Sequence, residues 1–355
     1  MEGFNVFESS LSEKIIHLGT EDDWVKVIEK FQHLDIYYSK EYLNLFAAFE
    51  DGLTEAVFYE NEDGKVFYPF IKRKIDIKEG YFDIITPYGY GGPVLEGKPS
   101  VIKKFYEHFN NYCLNNNIIT ETISLHPLIN NYDYIKNTMR VDYIRRTEAI
   151  DLTLSLEEIR NNYSSTNKRN IRKAIREGVQ VNVSNTREDI EIFMNLYYET
   201  MDRNNASKFY YFNKSYFYGQ MEETKLSKSY LLLARFNEQI IGGILLIIGK
   251  EFAHYHLGAS KTEYLFLRPN NLLFDTMIEF TKSFDLKALH LGGGYKDNDS
   301  LYKFKKSFSN NDSLYYFLGK NIINEKIYNE LSKSIINDFS GSSKTDFFPS
   351  YRDLT

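Results

Sequence analysis

Apolar and polar positions alternate along this chain in blocks that switch between a period near 3.6 and a period of 2. Helical spacing marks residues 21–32 and 39–50. Two strand patterns follow at 55–60 and 65–75. Asn61-Glu62-Asp63-Gly64 joins them and is a hairpin signal. A strand at 81–86 leads into a glycine-rich loop, TPYGYGGPVL. A helix at 99–115, a strand at 118–125 and another strand at 143–154 complete the first half.

The second half repeats the order. A basic helix at 165–177 precedes a strand at 179–184, a long helix from Arg187 to about Arg203, and a helix near 213–224. An antiparallel meander comes next: YLLLARF, QIIGGILLIIG and EFAHYHLGAS. Leu273, Met277, Phe280 and Phe284 give a helix at 270–284 one buried face. The strand KALHL, a glycine loop, a short helix, a strand at 313–318 and a helix at 322–338 follow. The pattern predicts an α/β (α+β) protein of two tandem domains, each a mixed, largely antiparallel sheet flanked by helices. The expected boundaries are 1–150 and 151–338, with a linker and aromatic tail at 339–355. The tail FFPSYRDLT is too apolar to stand in water and is expected to fold back on the body, at the groove between the domains.

Composition narrows the class. A chain of 355 residues suits two cores. A net charge of −6 argues against a general nucleic-acid binder, and DNA is not an expected partner. The single cysteine, Cys113, excludes an internal disulfide framework, fits a reducing compartment and reads as a buried small residue. The N-terminus has no signal-peptide pattern, and IIGGILLIIG is too short to span a bilayer. A cytoplasmic location with no integral membrane segment is expected.

The chemistry concentrates at 287–308, KALHLGGGYKDNDSLYKFKKSF. Three glycines at a strand end allow close backbone approach. Asp299 reads as an N-cap. By helical angle, Leu301, Phe304 and Phe308 form an apolar face, and Lys303 and Lys306 fall opposite, in solvent. Lys305 falls at the border of the buried face, where its ammonium can point into a cleft or simply reach water.

Several stretches together resemble the FemABX-type aminoacyltransferases of the GNAT acyltransferase superfamily. They are STNKRNIRKAIREGVQV at 165–181, YHLGAS at 255–260, RPNNLLFD at 268–275 and LGGG…DSLYKFKKSF at 291–308. TPYGYGGPV at 86–94 resembles the first-domain loop of relatives from surface-polysaccharide gene sets. The resemblance covers most of the chain in family order. It implies two GNAT-like domains and transfer of an acyl or aminoacyl group to an amine, in bacterial cell-envelope biogenesis. It places Phe304 and Lys305 at the reaction centre. A lysine there would stabilise the oxyanion formed when an amine attacks an ester or thioester. It also matches Arg203 to an arginine that contacts the phosphates of a nucleotide-linked sugar acceptor. The family's first-domain lysine for those phosphates has no counterpart in register near Lys40.

Other candidates come from the residues. Lys168, Arg169 and Arg172, at the N-terminal side of the basic helix, are placed to hold a pyrophosphate or RNA backbone, or form a solvated face. His254 and His256 share a strand face with Phe252, and Tyr255 lies on the other. With no third ligand at suitable spacing, no metal site is expected; His256 or Tyr255 would serve as a general base or pack across strands. Tyr88 and Tyr90 line an acceptor cleft or flank a tight turn. Asn270 and Asn271 start a helix or bond a substrate amide.

Three functions remain in view. The first is an N-acyltransferase taking an acyl group from acyl-CoA to an amine on a nucleotide-linked sugar or a polysaccharide or peptidoglycan precursor. The second is an aminoacyl-tRNA-dependent transferase that builds a peptide bridge. The third is a non-catalytic double-GNAT binding module. The first is preferred, although KEFAHYHLG lacks the Q/R-x-x-G-x-G/A loop that cradles the CoA pyrophosphate.

Overall fold

The structure is a computed structural model, and it describes residues 15–338 and 347–352. The linker expected at 339–346 lies outside the described residues. The chain divides into two compact units, 1–143 with 317–355, and 144–316.

The first unit opens with β1 (Ile16–His17), α1 (Glu21–Lys30) and α2 (Lys40–Ala47). The hairpin of β2 (Gly52–Asn61) and β3 (Gly64–Lys74) follows. Its turn forms at Glu62-Asp63 because the Asn61 side-chain oxygen accepts the N–H groups of Asp63 (3.0 Å) and Gly64 (3.2 Å). Then come β4 (Phe82–Ile85), β5 (Val94–Gly97), α3 (Val101–Asn115), β6 (Ile118–Ser124) and a short α4 (Tyr132–Ile135) that the sequence pattern did not mark. β2, β3 and β4 are antiparallel neighbours, and β4 runs parallel to β6. The aromatic face of α3, with Phe105, Phe109 and the buried Cys113, packs on Tyr59, Tyr68 and Phe70.

β7 (Arg140–Asp151) carries the chain into the second unit. It is followed by α5 (Leu156–Asn161), α6 (Ser165–Arg176), β8 (Gln180–Ser184), α7 (Arg187–Arg203) and α8 (Lys214–Met221). α5 begins with a reciprocal Ser155–Glu158 capping box. The meander is β9 (Lys228–Phe236), β10 (Gln239–Ile248) and β11 (Phe252–Ser260). α9 (Pro269–Thr281), β12 (Ala288–Gly293) and α10 (Ser300–Lys306) complete it. Strand order is β8-β9-β10-β11-β12-β7, antiparallel except for β11 with β12. α9 covers the sheet through Leu273, Met277 and Ile278.

β13 (Leu314–Ile322) then pairs antiparallel with β6, and α11 (Glu325–Asp338) follows. The chain therefore returns to the first unit at Phe317, whereas the sequence reading kept it in the second domain to 338. The reason is strand pairing, which sequence order does not dictate. Each unit is a mixed, mostly antiparallel sheet flanked by helices, a GNAT-like fold. The tail also belongs to the first unit and not to an interdomain groove. Tyr351 is buried with Ile75, Ile119, Ile327 and Leu331, its hydroxyl lies 2.6 Å from that of Thr120, and Arg352 Nε donates to buried Asp83 (2.8 Å). No helix among the described residues is long and apolar enough to cross a membrane.

Candidate active site in the second unit

The parallel pairing of β11 and β12 covers only Phe252↔Ala288, Ala253↔Leu289 and His254↔His290. Beyond it the two strands part, β11 running on to Ser260 and β12 to Gly293. In the first unit the corresponding pair, β4 with β6, stays joined to Ile85↔Thr122, and an isolated bridge links Gly91 to Leu125. The opening is therefore a feature of the second unit.

Lys305 of α10 reaches into this opening. Its side chain is buried, 5% exposed. Nζ donates to the Gly293 carbonyl at 2.8 Å and lies 4.9 Å from the Tyr255 ring centre. Burial, and secondarily the charge of Arg145, pull its pKa down to about 7; Asp299 opposes them. Gly292 has φ +72°, and a Cβ there would stand 3.3 Å from Nζ. A Cβ on Gly293 would press on the Arg146 carbonyl, and one on Gly294 on the Asp299 carboxylate. The glycines thus serve close packing around the lysine. Asp299 caps α10 by accepting the Tyr302 N–H at 2.8 Å.

The helix sits differently from its angular reading. Its buried positions are Tyr302, Lys305 and Phe308, while Leu301 is 44% exposed. Lys306 is half-buried and pairs with Glu148 (3.3 Å) instead of facing solvent. The cause is Glu148 on β7, fully buried, which needs donors. Tyr302 Oη supplies one at 3.0 Å, and Ser313 Oγ and Lys306 Nζ supply others. Phe304 packs edge-on to Phe274 (4.9 Å) and Phe308 (5.3 Å).

The predicted residues fall into three places. Tyr255 joins Lys305: its ring lies 4.9 Å from Phe274, its hydroxyl lies over Gly258, and burial raises its pKa to about 12. It is a protonated phenol at neutral pH, a donor and not a base. His256 is the extra residue where the β10–β11 register shifts, and its Nε2 bonds the Tyr216 hydroxyl of α8. Burial and His254 push its pKa down to about 3, so it is neutral and a weak proton acceptor. Arg203 is exposed and tied to the Ser260 carbonyl (2.7 Å) and Thr262 Oγ1 (2.9 Å).

The second place is a cleft of about 360 Å³ formed by the start of α6, the start of α9 and α10. Asn270, Asn271 and Phe304 line it, as expected for a substrate site. So do Asn167, Asn170, Arg268 and Ser307, which sequence reasoning passed over. Asn167 and Asn170 stood in plain view within the basic run, overshadowed by its charges. Of that run, Arg169 and Arg172 are exposed on α6, and Lys168 turns back to the Asn161 carbonyl at the end of α5 (3.0 Å).

Tyr88 and Tyr90 are in the first unit. Tyr88 lies against Phe46 (5.6 Å), and Tyr90 against Tyr37 and His126 (5.6 Å each). His126 Nε2 donates to buried Asp35 (2.8 Å), and its Nδ1 accepts the N–H groups of Leu128 and Ile129, so both ring nitrogens are engaged.

Residues 161–306 match the family model described as an acetyltransferase (GNAT) domain. This range holds Lys305, Tyr255 and the cleft, so the second unit carries a GNAT-type acyltransferase domain. Among solved structures the chain is similar to FemX: TM-score 0.68, 15% identity, covering 89% of this chain and 99% of that one. It is also similar to L-PGS from Bacillus licheniformis, with TM-score 0.51, 12% identity, and coverage of 87% and 100%. A conserved protein of unknown function from Bacteroides thetaiotaomicron VPI-5482 aligns with TM-score 0.51 and 13% identity, over 79% and 89%. At these identities the likeness is one of fold. No curated protein matches the chain significantly.

Proposed function

We propose that this protein is an N-acyltransferase whose chemistry takes place at Lys305. The observation that carries the reading is the buried Lys305 ammonium between the parted ends of β11 and β12, held on the Gly293 carbonyl. The donor is an acyl-CoA, and the acceptor is an amine on a nucleotide-linked sugar or a polysaccharide or peptidoglycan precursor. The amine nitrogen attacks the thioester carbonyl, the C–N bond forms, and the carbonyl oxygen becomes an oxyanion. The protonated Lys305 donates to that oxyanion in a water-poor pocket, where a fixed charge acts strongly. Collapse expels the thiolate, which takes up the proton lost by the amine. Arg203 and the exposed Arg169 and Arg172 are assigned to anionic parts of the substrates.

A second reading, an aminoacyl-tRNA donor, is favoured by those exposed arginines, which would meet an RNA backbone. A thermal-shift series with acetyl-CoA, UDP-sugars and charged tRNA separates the donors, because a ligand stabilises the fold in proportion to its occupancy. Transfer activity with the stabilising pair should fall roughly 100- to 1,000-fold in Lys305→Met. Unchanged activity in that variant would remove Lys305 from the mechanism and favour a non-catalytic module.

A further inference from the structure

We propose that the cleft between α6, α9 and α10 binds an uncharged, secondary-amide-bearing part of a substrate, a peptide or an N-acyl group, and not a phosphate. The inference rests on the acyltransferase reading for its place in a reaction, but the cleft is argued from its own chemistry.

The polar wall is a locked chain of amides. Asn271 Nδ2 donates to Asn167 Oδ1 (2.7 Å), and Asn167 Nδ2 donates to Ser307 Oγ (2.8 Å). Ser307 Oγ in turn donates to the Phe304 carbonyl (2.5 Å). Asn167 is 3% exposed and Asn271 6%. These bonds fix both side chains in one orientation. Among the described residues they leave the Asn271 oxygen and the second N–H of each amide without a partner. Asn270 likewise keeps its oxygen, since its nitrogen is turned to Ser260 Oγ (3.4 Å). The wall therefore presents acceptors and donors side by side, as a secondary amide requires. Phe304 supplies an apolar face for the methyl or methylene groups beside such an amide.

The same residues are poorly suited to an anion, although two helices begin here. Pro269 opens α9 and has no N–H. The Asn271 N–H is bonded to the Arg268 carbonyl (3.2 Å). In α6 the Asn167 N–H is bonded to Ser164 Oγ (3.2 Å). Arg268 is the one charged side chain of the lining, and it is exposed. A phosphate wants a concave set of donors; this cleft sets the acceptor oxygens of Asn270 and Asn271 among its donors. Because Phe304 precedes Lys305 on α10 and Ser307 caps the end of that helix, an amide seated here would be read by the helix that carries the reacting lysine.

The test is a titration of the full-length protein labelled with 15N-asparagine, following side-chain amide resonances. The probes are N-acetylglucosamine and N-acetylalaninamide, with glucose and pyrophosphate as controls. Saturable shifts in the millimolar range are expected for either amide probe, as ligands this small allow, and not for the controls. A response to one alone tells a sugar source from a peptide source. The Asn170 side chain makes no hydrogen bond to another described residue, so Asn170→Leu should keep the fold and weaken binding at least tenfold; Asn271→Leu, which also breaks the bond to Asn167, should weaken binding as much or more. Equal shifts with glucose, shifts of the same resonances with pyrophosphate, or no saturation with either amide probe would overturn the proposal. Lys305→Met should bind the probes normally. If it binds them and still transfers acyl groups, the assigned chemistry fails and the cleft stands. If it loses transfer while the asparagine variants bind as wild type, the cleft fails alone.

Discussion

Lys305 and Glu121 are two buried groups whose titration should be visible in stability, and His256 adds a third titration. Lys305 has a folded pKa of about 7 against an ordinary 10.5. Between those values the unfolded chain binds more protons, so stability should rise with pH from about 7 to about 10.5. Below 7 the buried ammonium costs on the order of a few kcal/mol. Lys305→Met should be more stable than wild type at pH 6 and lose that slope, as urea unfolding across pH would show. Glu121 has the opposite sign. Burial raises its carboxyl to about 7 from 4.5, against hydrogen bonds from Asn321 (3.0 Å) and Tyr106 (3.2 Å). The Glu121 contribution should fall as pH rises from 4.5 to about 7, while His256, with a folded pKa of about 3 against 6.5, contributes a rise up to about 6.5; Glu121→Gln should therefore steepen the net rise with pH in this window relative to wild type. In catalysis, a protonated Lys305 predicts activity that declines above pH 7. Lys305→Arg keeps the charge and should lose this alkaline limb while retaining part of the rate; a limb that stays in place would assign it to the substrate. The helical angle alone singled out Lys305. The depth of its burial was not legible, because that depends on Tyr255 and Gly293, distant in sequence.

α10 is the element on which the site depends, and it is short. Seven residues of helix are marginal without tertiary support. Asp299 caps its start and Glu148 holds its flank. Glu148→Ala would remove an acceptor shared by Tyr302, Lys306 and Ser313, leaving Lys306 only the Asn311 carbonyl and the two hydroxyls only each other, and a loss of roughly 1–3 kcal/mol is expected. The alkaline limb assigned to Lys305 should then move to higher pH as water reaches the loosened helix; a limb fixed at its wild-type value would show that Glu148 does not position the lysine. Gly292→Ala should also destabilise, since φ +72° is costly for alanine and its methyl would crowd Nζ. Elements with local signals were legible: 187–203 was expected as a helix and is Arg187–Arg203, begun by Thr186, which accepts the Asp189 N–H. The buried face of α10 was misjudged because no local pattern announces a buried glutamate on β7.

Across the molecule, the C-terminal tail closes the first unit. Tyr351 fills a site among β4, β6 and α11 residues, and Arg352 neutralises Asp83 together with Arg73 (2.8 Å). Deleting 347–355 should lower the melting temperature by several degrees, from the lost burial of Tyr351 and the loss of one of the two arginines that pair with buried Asp83. An unchanged melting temperature would mean that the tail is not bound in solution. Helix and strand spacing, the β2–β3 turn, the Asp299 cap and the order of the longer elements could be read along the chain, because each arises between residues close in sequence. The assignment of β13 and α11 to the first unit, the parting of β11 from β12, and the joining of Asn167, Asn271 and Ser307 into one wall arise only when distant segments pair and pack. Those long-range pairings turn an ordinary lysine and a run of asparagines into a candidate site.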